Sequence, residues 1–186
     1  MKAHKLTALF ATLSTCLALA ATASAELNAF ARITATKQGV IKGSVTQKGR
    51  ENSIAVVAVE HSIVSPRDAA SGLATGKRQH KPFVITKEVD QSSPLLHQAL
   101  TSNEVLKDVT LDFWQPSAAG GGAEKKYYTV KLENASIAGI RHVMPNNKVP
   151  ELARQAAYEE ISLVYSSITW TFVDGGVTST DDAAVK

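Results

Sequence analysis

The stretch from Ser65 to Leu100 constrains the fold more than any other part of this chain. It holds the one segment with helical spacing, in which Leu95, Leu96, Ala99 and Leu100 form an apolar stripe. Ser93 stands as the N-cap, Pro94 takes the favoured first helical position, and Ser102 and Asn103 end the turn. A helix of about ten residues does not persist alone in water, so this one must pack on a sheet. Ahead of it, Ser65 to His80 is a polar run of about 16 residues rich in Gly, Ala and Ser, a length that in compact domains signals function or disorder. The rest of the chain reads as strands. The expectation is a small β-barrel braced by one helix, with a protruding loop that reaches a neighbouring subunit.

The strand signals run in order along the chain. Ala29 to Lys37 alternates, and Val40 to Gln47 continues after a turn, with Gly43 marking a bend. Ser53 to Val64 is β-branched and apolar on both faces, which predicts a single long central strand with Glu60 and His61 at its polar end. Lys81 to Asp90 is a strand opened by Pro82. Val105 to Gln115 and Lys126 to Val143 form a hairpin around a flexible tip, Pro116 to Glu124, with a bend at Asn134 or Gly139. Tyr158 to Val173 is the last long strand, and residues 176–186 read as a disordered polar tail behind a domain spanning residues 26–175.

The first 25 residues have a different character. Lys2 and Lys5 precede an apolar run from Leu6 to Ala20, and Ala23, Ser24 and Ala25 form a small-residue cleavage signal before Glu26. That is the pattern of a cleavable secretory signal peptide. An uncleaved anchor fits the small-residue site less well, and Thr15 is a poor residue before a lipidated Cys16. Cleavage removes Cys16, the single cysteine, so the mature chain has neither a disulfide nor a thiolate. The formal charge of +3 drops by the two lysines, and the basic residues that remain are interleaved with acids. This is a mixed, solvated surface and not a nucleic-acid footprint. No other segment is long and apolar enough to span a membrane. The expected location is secreted, with the periplasm as the alternative.

Catalytic chemistry has little local support. His61, His80, His97 and His142 have no tight ligand spacing, so no metal site is expected and any convergence would be purely spatial. There is no Gly-x-Ser-x-Gly elbow. Glu159 and Glu160 are adjacent in a strand and must face opposite ways. The glycines at Gly72 and Gly76 with Lys77 and Arg78 are misspaced for a phosphate loop, and Arg78 stands where a magnesium-binding hydroxyl belongs. No cofactor and no enzymatic activity are expected.

The ordered features resemble the haemolysin-coregulated protein (Hcp) family, whose members build the inner tube of the bacterial type VI secretion system. The resemblance covers about Ala29 to Gly175. It rests on Gly72 and Gly76-Lys77-Arg78 leading to His80-Lys81-Pro82-Phe83, on Ser93-Pro94-Leu95-Leu96, on Val109-Thr110-Leu111 with Trp114, on Asn134-Ala135-Ser136-Ile137, and on Glu160 to Tyr165 with Ile168-Thr169-Trp170. It implies a tight two-sheet β-barrel with one flanking α-helix and an extended loop. It also implies homohexameric rings that stack into a tube, carry effectors in the lumen, and meet sheath and spike components. On the same grounds Ser65, Pro66, Arg67, Asp68, Gly72, Gly76, Lys77, Arg78 and His80 are inter-subunit loop candidates, and Glu60 is a lumen or cargo candidate. The signal peptide departs from the family, whose tube assembles in the cytoplasm. The alternative is therefore an exported binding module or a free ring working outside the cytoplasm.

Overall fold

In the computed structural model, which describes residues 28–117 and 123–183, the chain forms twelve strands and one helix. They are β1 (Asn28–Ala35), β2 (Gly39–Ile41), β3 (Ile54–Val56), β4 (Ala58–Glu60), β5 (Ile63–Val64), β6 (Gln79–His80), β7 (Phe83–Glu88), α1 (Ser93–Thr101), β8 (Leu106–Pro116), β9 (Glu124–Val143), β10 (Tyr158–Val164), β11 (Ser167–Phe172) and β12 (Val177–Asp182). The expected signal peptide and most of the expected tip at residues 116–124 lie outside the described residues. None of the described helices is long and apolar enough to cross a membrane.

Two antiparallel sheets share a core because three strands bend from one into the other. The first half of β9 pairs with β8 and β11, and its second half pairs with β10. The corner is at Asn134, whose φ of 48° lies in the left-handed region that Asn tolerates better than other residues with a Cβ. Opposite it the expected last strand breaks at Tyr165 and Ser166 into β10 and β11, and Ser166 N–H donates to Glu133 O. The third bend corrects the expected central strand. β3 pairs with β1 in one sheet, and β4 pairs with β7 at the edge of the other. Val57 sits at the switch, 65% exposed, with its N–H donating to Thr86 O. The residues are apolar on both sides because the strand changes sheets, not because it is buried on both faces.

The core is aliphatic. Ile33, Ile41, Ile54, Ile85, Leu111, Leu132, Ile161 and Leu163 are all buried, and Leu96 and Ala99 of α1 close one side. In β8 both Leu106 and Val109 point inward, against simple alternation, because a bulge between Ala35↔Leu106 and Thr34↔Asp108 inserts Lys107. The segment after β2 is irregular instead of the expected strand through Gln47. There Gly43 N–H donates to Asn52 O, and a Cβ on Gly43 would lie 2.2 Å from Ser53 O, so only glycine fits.

The expected disordered tail is instead paired for residues 177–182. β12 runs antiparallel to β11 from Phe172↔Val177 to Ser167↔Asp182, after a turn in which Gly175 and Gly176 have positive φ. Polar composition did not prevent pairing because the ribbon needs only a hairpin turn and a partner edge.

Helix α1 ends in a Schellman motif: Glu104 N–H donates to Ala99 O and Asn103 N–H to Leu100 O, with Asn103 left-handed. Its start differs from the expectation. Ser92 holds the N-cap position, and the Asp90 carboxylate accepts from Ser92 N–H. Ser93 Oγ turns inward, accepting from Lys87 Nζ at 2.9 Å and donating to Glu159 Oε2 at 2.7 Å. Lys87 (0% exposed) also lies 3.1 Å from Glu159 Oε2 and 2.9 Å from Asp90 Oδ1. Burial pushes the Glu159 carboxyl up, but the Ser93 hydroxyl and the Lys87 ammonium outweigh it and hold it below the usual range. As expected, Glu160 faces the other way, to Arg141 at 2.9 Å.

Candidate assembly surface

The expected loop is a β-hairpin arm. At its base β5 pairs with β6, and Lys81 N–H donates to Ser62 O. Further out Arg67 bridges Ala74, Thr75 N–H donates to Pro66 O, and Asp68 N–H donates to Leu73 O. Its tip is a tight turn. The Asp68 carboxylate accepts from the Ser71 hydroxyl and from the N–H groups of Ser71 and Ala70, which together hold its pKa below the usual range. Gly72 takes φ +70° in this turn, and Arg67 donates to its carbonyl. A Cβ added at Gly76 would meet the Pro66 ring at 3.7 Å, an ordinary contact. Ser65 and Lys77 are exposed along the arm. So are three apolar side chains: Ile63, Val64 and Leu73, the last 69% exposed.

The arm is clamped where it leaves the sheets. Arg78 grips the Asp181 carboxylate with two nitrogens and reaches Asp182 O at 3.2 Å. His80 Nε2 lies 3.1 Å from Asp181 Oδ2, its Nδ1 lies 2.9 Å from Tyr165 Oη, and His61 Nε2 lies 2.6 Å from the same oxygen. The proton order follows when both imidazoles are neutral. His80 Nε2–H donates to Asp181, so its Nδ1 accepts from the Tyr165 hydroxyl, which accepts from His61 Nε2–H. Burial and the Asp181 charge push the Tyr165 pKa up to about 12, so it stays a donor. Burial and the neighbouring His80 lower that of His61. Hydrogen bonds from Arg78, outweighing partial burial, lower that of Asp181.

Arg78 and His80 are thus engaged within the chain. Pro66, Arg67, Asp68, Gly72 and Gly76 shape the arm. Sequence reasoning missed Tyr165 and Asp181, and no local signal could have found them. His80 and Asp181 stand 101 positions apart, in a tail that composition marked as loose.

Glu60 is exposed at the end of β4, a strand of the sheet edge. It lines a trough of about 700 Å³ with Ala58, Val84, Thr86, Arg141 and Glu160. The trough floor is one sheet face, with Glu60 on the edge strand and the Arg141–Glu160 ion pair on β9 and β10.

Comparison with known proteins adds independent observations. Residues 30–172 match the family model described as "Type VI secretion system effector, Hcp". The chain is 40% identical over 163 residues to the "Major exported protein" of Pseudomonas aeruginosa PAO1, covering 83% of this chain and 94% of that protein. A crystal structure titled for an Hcp protein superposes with a TM-score of 0.79 at 29% identity, over 87% of this chain and all (100%) of that one. The Hcp1 protein of Escherichia coli EAEC 042 gives 0.74 at 34% identity, over 85% and 99%. The chain belongs to the Hcp family of the type VI secretion system, whose members are structural secreted tube proteins and not enzymes.

Proposed function

We propose that this chain is a ring-forming tube subunit, six copies to a ring, and that rings stack through the hairpin arm. The observation that carries this reading is the arm itself. Its base is fixed by a five-residue clamp, while Ile63, Val64 and Leu73 stand bare in the isolated chain. A rigid arm with uncovered apolar side chains gains free energy by seating on another subunit, at about 25 cal/mol per Å² of apolar surface buried. A closed head-to-tail ring needs two different complementary faces per subunit, and an arm on one side supplies such asymmetry. Ser65, Arg67, Asp68 and Lys77 make the contacts in this reading, and Arg78 and His80 set the arm's angle. Glu60, with Arg141 and Glu160, lines the lumen and meets effectors. Sheath and spike components are the other partners.

Export is part of the proposal. The relative named as an exported protein supports secretion, and the Lys2 to Ala25 pattern supports cleavage before Glu26. That pattern also favours a second reading, a free ring working outside the cytoplasm. N-terminal sequencing of exported protein separates the routes, since a chain beginning at Glu26 has passed through the general pathway and one beginning at Met1 has not.

The assembly test is light scattering with negative-stain imaging on the purified protein and on a variant with residues 66–77 replaced by a short Gly-Ser turn. Rings with a central hole are expected from the parent, and unstacked rings of folded subunits from the variant. A parent that stays monomeric at every concentration refutes the reading.

A further inference from the structure

The fold draws together three side chains that the sequence keeps apart. His97 comes from α1, His142 from the end of β9 and Glu159 from β10. Glu159 Oε1 lies 3.2 Å from His97 Nε2 and 3.4 Å from His142 Nδ1, and their ligand atoms all lie within 4.8 Å of one another. We propose that these three residues form a binding site for a divalent transition-metal ion of the zinc class, with solvent completing the coordination. This site is separate from the arm and does not depend on ring formation.

Four observations support it. The first is spacing. Zinc bonds to imidazole nitrogen and carboxylate oxygen are about 2.0–2.1 Å, so the edge of a zinc tetrahedron is about 3.3 Å. The two distances to Glu159 bracket that value, and the imidazole nitrogens lie within 4.8 Å of each other, so side-chain adjustment closes the triangle around an ion. The second is orientation. Glu159 Oε2 is held by Ser93 Oγ at 2.7 Å and Lys87 Nζ at 3.1 Å, which leaves Oε1 to face the imidazoles. Outer contacts of this kind aim a carboxylate at a metal through one oxygen. The third is charge. Buried Lys87 faces both Asp90 and Glu159, so the cluster carries an excess negative charge that a cation offsets. The fourth is ligand chemistry. Two nitrogens and one oxygen suit zinc and its neighbours, whereas calcium and magnesium prefer oxygen alone. Both imidazoles are about half exposed, so the ion has an entry path and a fourth position open to water.

A simpler arrangement makes both imidazoles hydrogen-bond donors to the carboxylate, with no ion. Calorimetric titration of the tag-free chain beginning at Glu26, which lacks His4 and Cys16, with zinc chloride decides between them. The expected result is one zinc per chain, with binding weakened at least about tenfold in His97→Ala and in His142→Ala. Asp174→Asn, in the exposed turn between β11 and β12, keeps the parent affinity. Cobalt(II) in place of zinc gives the intense visible bands of a tetrahedral site in the parent and in that control, and not in His97→Ala or His142→Ala. Should an alanine variant lose its cooperative melting, His97→Gln and His142→Gln give the same readout, because glutamine keeps a donor to Glu159 but is a poor zinc ligand. No stoichiometric zinc at about 100 µM, or equal binding by the parent and both histidine variants, overturns the proposal; the micromolar range is that of a weak site by affinity arithmetic.

Discussion

Lys87 is the residue whose removal tests the reasoning about this core most sharply. It is fully buried and holds three partners: Asp90 Oδ1 at 2.9 Å, Ser93 Oγ at 2.9 Å and Glu159 Oε2 at 3.1 Å. Lys87→Met keeps the length and most of the volume of the side chain but removes the charge. Asp90 keeps the Ser92 N–H and hydroxyl, and Glu159 keeps the Ser93 hydroxyl, yet both carboxylates lose their only ammonium among the described residues. Breaking a buried pair from one side costs about 3–5 kcal/mol, because a charge stays behind without compensation. For a domain of this size that corresponds to roughly 6–20 °C in melting temperature, at about 2–4 °C per kcal/mol. The assay is urea unfolding at several protein concentrations, since ring formation would add a concentration-dependent term. Lys87→Met/Glu159→Gln removes both charges and should recover at least about 2 kcal/mol of the loss, a coupling within the range for contacting residues. A single-variant cost under about 1 kcal/mol, or a double variant as unstable as the sum of its singles, would falsify the account.

Three further outcomes follow from the geometry. Gly43→Ala should destabilise by about 1–3 kcal/mol in denaturant unfolding, because its Cβ meets the Ser53 carbonyl, which no rotamer change can move; an unchanged midpoint would mean the close approach is absent in solution. Tyr165→Phe leaves His61 and His80 without their shared hydroxyl and should cost about 1–3 kcal/mol. It should also speed proteolysis within residues 63–80, and a protected arm would show that the clamp is not what holds it. Stability should fall as pH drops below about 6.5, the ordinary histidine value. The sign follows from the lowered pKa of His61: below 6.5 the unfolded chain binds a proton that the folded chain, with His61 between Tyr165 and His80 and Asp181 beyond, still refuses. The loss is complete once pH passes the folded pKa. A His61→Gln variant should show a shallower slope in this window, and an equal slope would locate the effect elsewhere.

The elements themselves were largely legible. The apolar stripe of Leu95, Leu96, Ala99 and Leu100, the alternation in β1, and the length and bend of β9 all follow from spacing of side chains along one segment. Such signals are local, and the chain carries them without its partners. Bends that transfer a strand between sheets are not local. Val57 and the Tyr165–Ser166 break interrupt apolar runs that read as continuous, because β-branched residues suit either sheet. The tail failed for a related reason: Thr178, Ser179 and Thr180 carry no apolar alternation, and their pairing depends on the free edge of β11. The arm stood out by its length, but its order could not be read, because an ordered hairpin and a disordered insertion share the same turn-rich composition.

By itself the sequence determined that this would be a β protein with one helix, which side of that helix would be buried, that Glu159 and Glu160 would part company, and which family it joins. Those are matters of period, pattern and coverage. Only the tertiary structure decided which distant groups meet: Tyr165 and Asp181 under the arm, Lys87 with Glu159 inside the core, and His97 beside His142 at its rim. Such meetings depend on where sheets bend and in what register strands pair. A one-residue slip turns every side chain of a strand to the opposite face, so no reading of a segment alone can supply them.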